Sequence, residues 1–431
     1  MSLGASGPQS LPRLLAGLDP TSAAMTLAEH ERVHGPLPHP GSAELIEAVE
    51  HSGLRGRGGA DFPTARKLRS VAERRHAGAL IVNGSETEPA SSKDRLLLSR
   101  LPHLVLDGAV LAAAAIGAPE VIVRVRESAT GTLSAVEGAV AVRSTGRLIV
   151  RVATAPEGYV SGEETAVIQH LGGSAAKPTF VPPRPYERGY RGRPTLVQNP
   201  ETLAQIALVA RYGAHWYREL GTNADPGSAL VTITGAVAAP GVYELAFGTS
   251  MIDLLAAAGG STEPLQALLV GGYFGTWVDS ARAFRLRLSR EDLRSVGCSL
   301  GAGVLIALGE SSCGLHESAR VIGYLADESA GQCGPCVFGL RAIADAFEGF
   351  AQGAGQSGDR DRVLRWTAEV RGRGACNHPD GAARFVESAL ETFGDEIESH
   401  RRERCSAPAA GLPLGGAAHQ RHAGALRELR R

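Results

Sequence analysis

Between residues 53 and 154 the apolar positions switch between two periods. The run ALIVNG (79–84) is short and almost wholly apolar and predicts a buried strand; LPHLVLDGAVLAAAAIGA (101–118) has the length and composition of a helix; EVIVRVRE (120–127) predicts a second strand. SAVEGAVAVRS (134–144) returns to a helical pattern, and RLIVRVAT (147–154) predicts another strand. Strands alternating with helices predict a Rossmann-like parallel α/β sheet.

Further on, ETAVIQHLGG (164–173) and NPETLAQIALVARYGAHWYREL (199–220) predict helices, separated by KPTFVPPRPYERGYRGRPT (177–195), whose prolines remove amide donors and predict extended loop. The texture then changes. ALVTITGAV, PGVYEL, a short helix at SMIDLLAAAGG, ALLVGGYFGTWVDS and GAGVLIAL form a β-rich block over 226–310 that predicts a small separate α+β domain. From 311 to 404 helical patterns surround the cysteines, and the Arg-, Ala- and Gly-rich residues 405–431 predict a flexible tail. At the other end, residues 1–41 are rich in Pro, Gly and Ala and predict an extension wrapped over the surface, before a first helix at about 42–52 and an α/β domain over 42–225.

A chain of 431 residues exceeds one hydrophobic core and predicts several domains. A formal net charge of −1 gives no nucleic-acid footprint, and 43% hydrophobic against 21% charged residues excludes a disordered composition. Residues 1–25 lack a basic segment followed by an apolar core, and no run reaches the roughly 18 apolar residues of a membrane span, which predicts a cytoplasmic protein. Six cysteines confined to the last third of the chain do not resemble a secreted disulfide scaffold and favour metal binding.

Residues 53–67 read GLRGRGGADFPTARK. Gly56, Gly58 and Gly59 let backbone approach a ligand, Pro63 suits a helix start, and exposed amides there with Arg57 and Lys67 nearby form a phosphate cradle. Such a loop by itself is as readily a plain turn. After the first strand comes VNGSETEPASSKDR (82–95), placing polar groups where α/β sheets bind ligands. EGYVSGEETAVIQHLGG (157–173) and RPTLVQNPETLAQI (193–206) follow.

Together these segments resemble the NADH-oxidising 51 kDa flavoprotein family of NADH-quinone oxidoreductase (respiratory complex I). GRGGADFPTARK matches the family's flavin-binding GRGGAGFPTGxK, with Asp61 and Ala65 where the family has glycine. Asn83, Glu86, Glu88, Pro89, Lys93, Asp94 and Arg95 match the second motif, with Ser85 replacing an Asp. Tyr159, Gly162, Glu163, Glu164 and Thr165 match the third; Asn199, Glu201 and Thr202 match the fourth, with Gln198 for an Asn. The family's KPPFP has become VPPRP at 181–185. The stretch 230–260 resembles the family's β-grasp SLBB domain, in which Tyr273, Phe274 and Trp277 read as core or interface aromatics. The resemblance spans about residues 50 to 400.

It implies FMN among Gly56, Arg57, Gly58, Gly59, Ala60, Lys67, Asn83, Gly162, Glu163, Gln198, Asn199 and Thr202. It further implies NAD(H) contacts from Glu86, Glu88, Tyr159 and Glu164, with Glu86 and Glu164 closest to the chemistry.

Among the cysteines, Cys333 and Cys336 form a CxxC pair in ESAGQCGPCVFG, and Cys376 precedes His378 in GACNHPDG. From the residues alone, Cys333, Cys336, Cys376 and His378 suit a Cys₃His zinc site as well as an iron–sulfur centre. The family carries four cysteines for a [4Fe–4S] cluster. Here Ala330 takes the first position, so the resemblance implies a [4Fe–4S] or [3Fe–4S] cluster with His378 as candidate fourth ligand. Cys298, Cys313 and Cys405 have no partner at metal spacing in the sequence and read as ordinary thiols.

The function so implied is electron input: NADH oxidised through FMN, and electrons passed by the cluster to a partner subunit or ferredoxin-like acceptor, with peripheral attachment to a membrane complex possible. Two alternatives stay open at this point, a non-catalytic scaffold holding zinc or a cluster and an FMN/iron–sulfur oxidoreductase with a different donor.

Overall fold

The computed structural model describes residues 10–19, 23–74, 76–356, 358–402, 405, 407 and 411–414. Helices α1 (Leu27–His34), α2 (Ser42–Ser52) and α3 (Thr64–Ala72) precede the first strand, β1 (Ala79–Gly84). Then follow α4 (Lys93–Arg100), α5 (Pro102–Ile116), β2 (Glu120–Arg126), α6 (Thr130–Ala141), β3 (Ile149–Ala155), α7 (Glu164–Leu171), β4 (Thr195–Gln198) and α8 (Pro200–Arg218). The strands pair in parallel in the order β3-β2-β1-β4. Successive strands step outward from β1 to β3, and β4 returns on the other side of β1. The crevice beyond β1 and β4 is therefore the topological switch point, where such sheets bind ligands.

Three elements differ from the sequence expectation. β4 is only four residues long and lies in a stretch whose visible signal is proline, so periodicity could not reveal it. α4 is hidden by its polar first turn, Lys93-Asp94-Arg95. The N-terminal extension contains α1, closed by a capping box between Thr26 and Glu29. Ahead of it, buried Arg13 lies 3.9 Å over the Trp216 ring and donates to the Trp216 carbonyl at 2.5 Å.

The second unit is a five-stranded sheet, order β6-β5-β9-β7-β8, made of β5 (Ser228–Gly235), β6 (Gly241–Ala246), β7 (Leu265–Val270), β8 (Thr276–Asp279) and β9 (Val304–Gly309). Short helices α9 (Met251–Ala257), α10 (Ser280–Ala283) and α11 (Arg290–Ser295) complete it. Tyr273 and Trp277 are buried, as core aromatics should be. The third unit contains α12 (Gly314–Asp327), a π-helical turn (Pro335–Leu340), α13 (Arg341–Ala351), α14 (Asp359–Val370), α15 (His378–Thr392) and α16 (Gly394–Arg402). Its core includes Phe347, Phe350, Phe385 and Phe393 together with Tyr273 and Trp277 of the sheet, so the second and third units share one apolar cluster.

The expectation of a flexible tail from residue 405 is corrected for residues 411–414. The Gly411 and Leu412 amides donate to Glu317 at 2.9 and 3.0 Å, and Leu412 and Leu414 are buried. Residues 415–431 lie outside the described residues. Among the described residues no single helix is long and apolar enough to cross a membrane.

Candidate flavin and cluster sites

At the switch point the loop 53–63 turns back on itself, with the Gly56 amide bonded to the Phe62 carbonyl at 2.9 Å, and delivers the chain into α3. Gly58 lies so near Asn199 that a Cβ there would stand 3.3 Å from the Asn199 Cβ. Facing this loop, Lys67 on α3 pairs with Glu164 at the start of α7 at 2.5 Å, both side chains part-exposed. Asn83, at the end of β1, donates to the Gly162 carbonyl at 2.8 Å, and Ser85 donates to the Asn83 side chain at 2.9 Å. The sequence-predicted set thus converges from four segments on one crevice.

Several buried polar atoms here have no partner among the described residues: Gln198 Nε2, Thr64 Oγ1, and Nε and Nη2 of Arg124. Buried donors are normally satisfied. Unpaired donors beside a glycine loop and a part-exposed Lys–Glu pair fit an acceptor-rich ligand such as FMN. Arg124 is a residue that the motifs do not mark. It sits wholly buried on β2, donates to Ser85 and to the Ser161 carbonyl, and burial lowers its pKa to about 10. Its only sequence signal is an arginine at an inward position of a strand.

Other expected contact residues have protein partners of their own. Glu86 caps α4: one carboxylate oxygen accepts from Ser91 Oγ at 2.7 Å and the Asp94 amide at 2.9 Å, and the other from the Arg95 amide at 2.9 Å. Glu88 is buried and accepts from Tyr159 Oη at 2.9 Å and the Tyr273 amide at 2.8 Å; burial raises its pKa to about 7. Tyr159 is thereby turned inward, its ring packed against Phe274, Tyr324 and His378. These three residues position elements through their side chains. Arg57 donates through Nη2 to Tyr217 Oη and the Ser228 carbonyl, both 3.1 Å away, and lies over Phe247, so it is a strut between units. Thr202 accepts from the Arg57 amide at 2.9 Å. Glu163 caps α7 through the Thr165 and Ala166 amides, and burial raises its pKa. Asn199 caps α8 and donates to Asp94.

Lys93, matched in sequence but not assigned a site role, is 2.8 Å from Asp94 and 2.9 Å from Glu201. Burial opposes its charge, yet the two carboxylates raise its pKa overall. Lys93 and Glu201 also line a cleft of about 230 Å³ between the glycine loop and residues 289–303.

In the helical unit, Cys333, Cys336, Cys376 and His378 line one small cavity with Ala330, Gly331, Gln332, Gly374 and Pro379. Among the described residues this set does not bring its ligand atoms within 4.8 Å of one another, as a single zinc ion requires, so the zinc reading is disfavoured against a wider cluster. Burial, and then the neighbouring thiols Cys376 and Cys333, raise the Cys336 pKa to about 12. The charge of a bound metal would ionise such a thiol. His378 Nε2 donates to the Leu325 carbonyl at 2.7 Å, which leaves Nδ1 with the lone pair, buried and without a partner. Burial lowers its pKa to about 4, so the ring is neutral and able to ligate. Ala330, standing where the family has cysteine, is on the same wall.

The two sites adjoin. Glu163 is close enough to Cys376 to raise its pKa, after burial itself, and Gln332 Nε2 reaches the Pro178 carbonyl at 2.5 Å.

A switch-point crevice fitted to a flavin, joined through a β-grasp unit to a cysteine cavity fitted to a cluster, defines a modular flavin and iron–sulfur electron carrier. Family models agree: residues 49–208 match the Nuo51 FMN-binding domain, 230–272 the SLBB domain and 316–400 the NADH-ubiquinone oxidoreductase-F iron-sulfur binding region. An NADH-quinone oxidoreductase F-type subunit of Rhizobium meliloti (strain 1021), the one numbered 2, is 31% identical over 379 residues, 84% of this chain and 89% of the relative. The corresponding F-type subunit of Aquifex aeolicus (strain VF5) is 31% identical over 85% of this chain and 88% of its own. Among solved structures, a chain of an NAD+-reducing [NiFe]-hydrogenase in the H2-reduced state superposes with a TM-score of 0.79 at 30% identity, covering 95% of this chain and 70% of that one. The chain belongs to the family of NADH-quinone oxidoreductase F-type subunits, whose members named here are parts of larger enzymes.

Proposed function

We infer that this protein is the electron-input subunit of an oxidoreductase, taking hydride from NADH and passing single electrons to a partner subunit or ferredoxin-like acceptor. The observation that supports this most is the adjacency of the two sites, since electron transfer decays steeply with distance. Bound FMN would supply the conversion of a two-electron donor into one-electron steps, which no side chain can perform.

The chain's own residues would bind and orient. The loop Gly56, Gly58, Gly59 and Ala60 brings amides to the flavin phosphate end, Lys67 adds the cation, and Asn83, Gly162, Gln198 and Asn199 line the crevice. Glu164, held by Lys67 at the crevice mouth, is the carboxylate left to meet the nicotinamide nucleotide. Cys333, Cys336 and Cys376 would hold a [4Fe–4S] or [3Fe–4S] cluster, with His378 Nδ1 as the protein ligand nearest to completing it. Attachment to a membrane would come through partners.

The test is an anaerobic absorption spectrum of the purified protein before and after NADH. Flavin and cluster bands that both bleach support the reading; flavin and cluster bands that NADH leaves unchanged defeat the donor assignment. Iron content and midpoint potential unchanged in His378→Ala would remove that histidine from the cluster.

A further inference from the structure

Away from both sites, three ligating side chains meet where the helical unit closes on itself. Cys313 is the N-cap of α12, His400 lies in the last turn of α16, and Cys405 follows it in the chain. Sγ of Cys313, Sγ of Cys405 and a ring nitrogen of His400 all lie within 4.8 Å of one another. Cys313 Sγ stands 3.5 Å from His400 Nε2 and 3.5 Å from Glu396 Oε2. With Zn–S near 2.3 Å and Zn–N near 2.0–2.1 Å, the sulfur-to-nitrogen edge of a zinc tetrahedron is about 3.6 Å. The spacing is that of a single ion, unlike the wider set at Cys333, Cys336 and Cys376.

The histidine is also oriented as a ligand. His400 Nδ1 donates to the Ala351 carbonyl at 2.9 Å, which fixes the tautomer and leaves the Nε2 lone pair facing Cys313. Cys313 and His400 are buried and Cys405 is half-buried.

We propose that Cys313, His400 and Cys405 form a mononuclear zinc site, separate from the iron–sulfur cavity, with Glu396 the nearest candidate for the fourth position. On binding, the two thiols release their protons to solvent and no electron changes hands. The ion clamps the segment after α16 onto the start of α12. That segment then runs to Gly411–Leu414, whose backbone is held by Glu317 and whose leucines enter the core beneath the cluster domain. Glu396 Oε2, 3.5 Å from Cys313 Sγ but outside the set of atoms that lie within 4.8 Å of one another, would turn toward the ion to close a structural site of four ligands.

The experiment measures zinc and iron per chain in full-length protein loaded with zinc and desalted anaerobically. Stoichiometric zinc is expected in the wild type. Cys405→Ser and His400→Ala should each lower it at least about tenfold with iron unchanged. Cys333→Ser should do the reverse. Because Cys405 follows α16, its serine variant tests the site without removing the cap of α12. Cobalt substitution gives a second readout: thiolate-to-cobalt absorption that Cys405→Ser abolishes. A wild type that retains no zinc, zinc that persists in both variants, or a Cys313–Cys405 disulfide in reduced, anaerobic protein would each overturn the proposal.

Discussion

Individual side chains here are set by what they can find to bond with. Among the described residues Lys67 pairs with Glu164 and remains part-exposed, which leaves its charge within reach of a phosphate or a dinucleotide. Replacing Lys67 with Met should weaken FMN binding about 10- to 100-fold, the loss of one charge-assisted contact, as read by flavin fluorescence on titrating apoprotein. Glu88 behaves oppositely. Burial raises its folded pKa to about 7, above the ordinary carboxylate value, so the folded protein holds a proton that the unfolded chain releases. Stability from this group is therefore full below the ordinary carboxylate pKa and lost as pH rises through about 7. Thermal melts should show wild type losing stability relative to Glu88→Gln between pH 5 and pH 8, by about 2–3 kcal/mol. Parallel melting curves for the two proteins would reject the assignment.

Elements are joined by buried charge as well as by apolar packing. Asp107 on α5 accepts from His30 of α1 at 2.8 Å and pairs with Arg143 beyond α6 and Arg211 of α8. Burial alone would raise the pKa of Asp107, but these partners hold it well below the usual carboxylate range. Its stabilisation is present at neutral pH and is lost only in strong acid. Asp107→Asn strands two buried guanidinium groups and should lower unfolding free energy by about 3–5 kcal/mol in denaturant melts, although no cofactor contact is touched. The same elements show what periodicity reveals. β1 was legible as ALIVNG because both its faces are buried; β4 was not, because four residues amid prolines carry no period.

Across the whole molecule the units depend on one another unequally. The flavin crevice is built by the first unit and braced by the second through Arg57, Glu201 and Glu88. The cluster cavity belongs to the third. Cys336→Ser should therefore remove most of the iron while leaving FMN bound. NADH would still bleach the flavin band, and transfer to a one-electron acceptor would fall by orders of magnitude. Loss of flavin together with iron in that variant would show the units to be inseparable.

The sequence by itself determined the three-part order, the parallel sheet, the glycine loop and the CxxC cavity. Each of these is written in contiguous residues whose period, glycines or spacing dictate local geometry. It also singled out, through the family resemblance, Lys67, Glu164, Asn83 and Gly162, which the fold brings together as an ion pair and a hydrogen bond. Only the tertiary structure decided what each carboxylate bonds: Glu86 and Glu88 carry the same local signal as Glu164 but accept from a helix start and a distant turn, whereas Glu164 pairs with part-exposed Lys67. It alone exposed buried Arg124, and it alone gathered Cys313, His400 and Cys405. The reason is range. Local conformation follows from neighbours in the chain, whereas the hydrogen bonds and ligand distances that give a polar group its role are closed by residues far away in sequence.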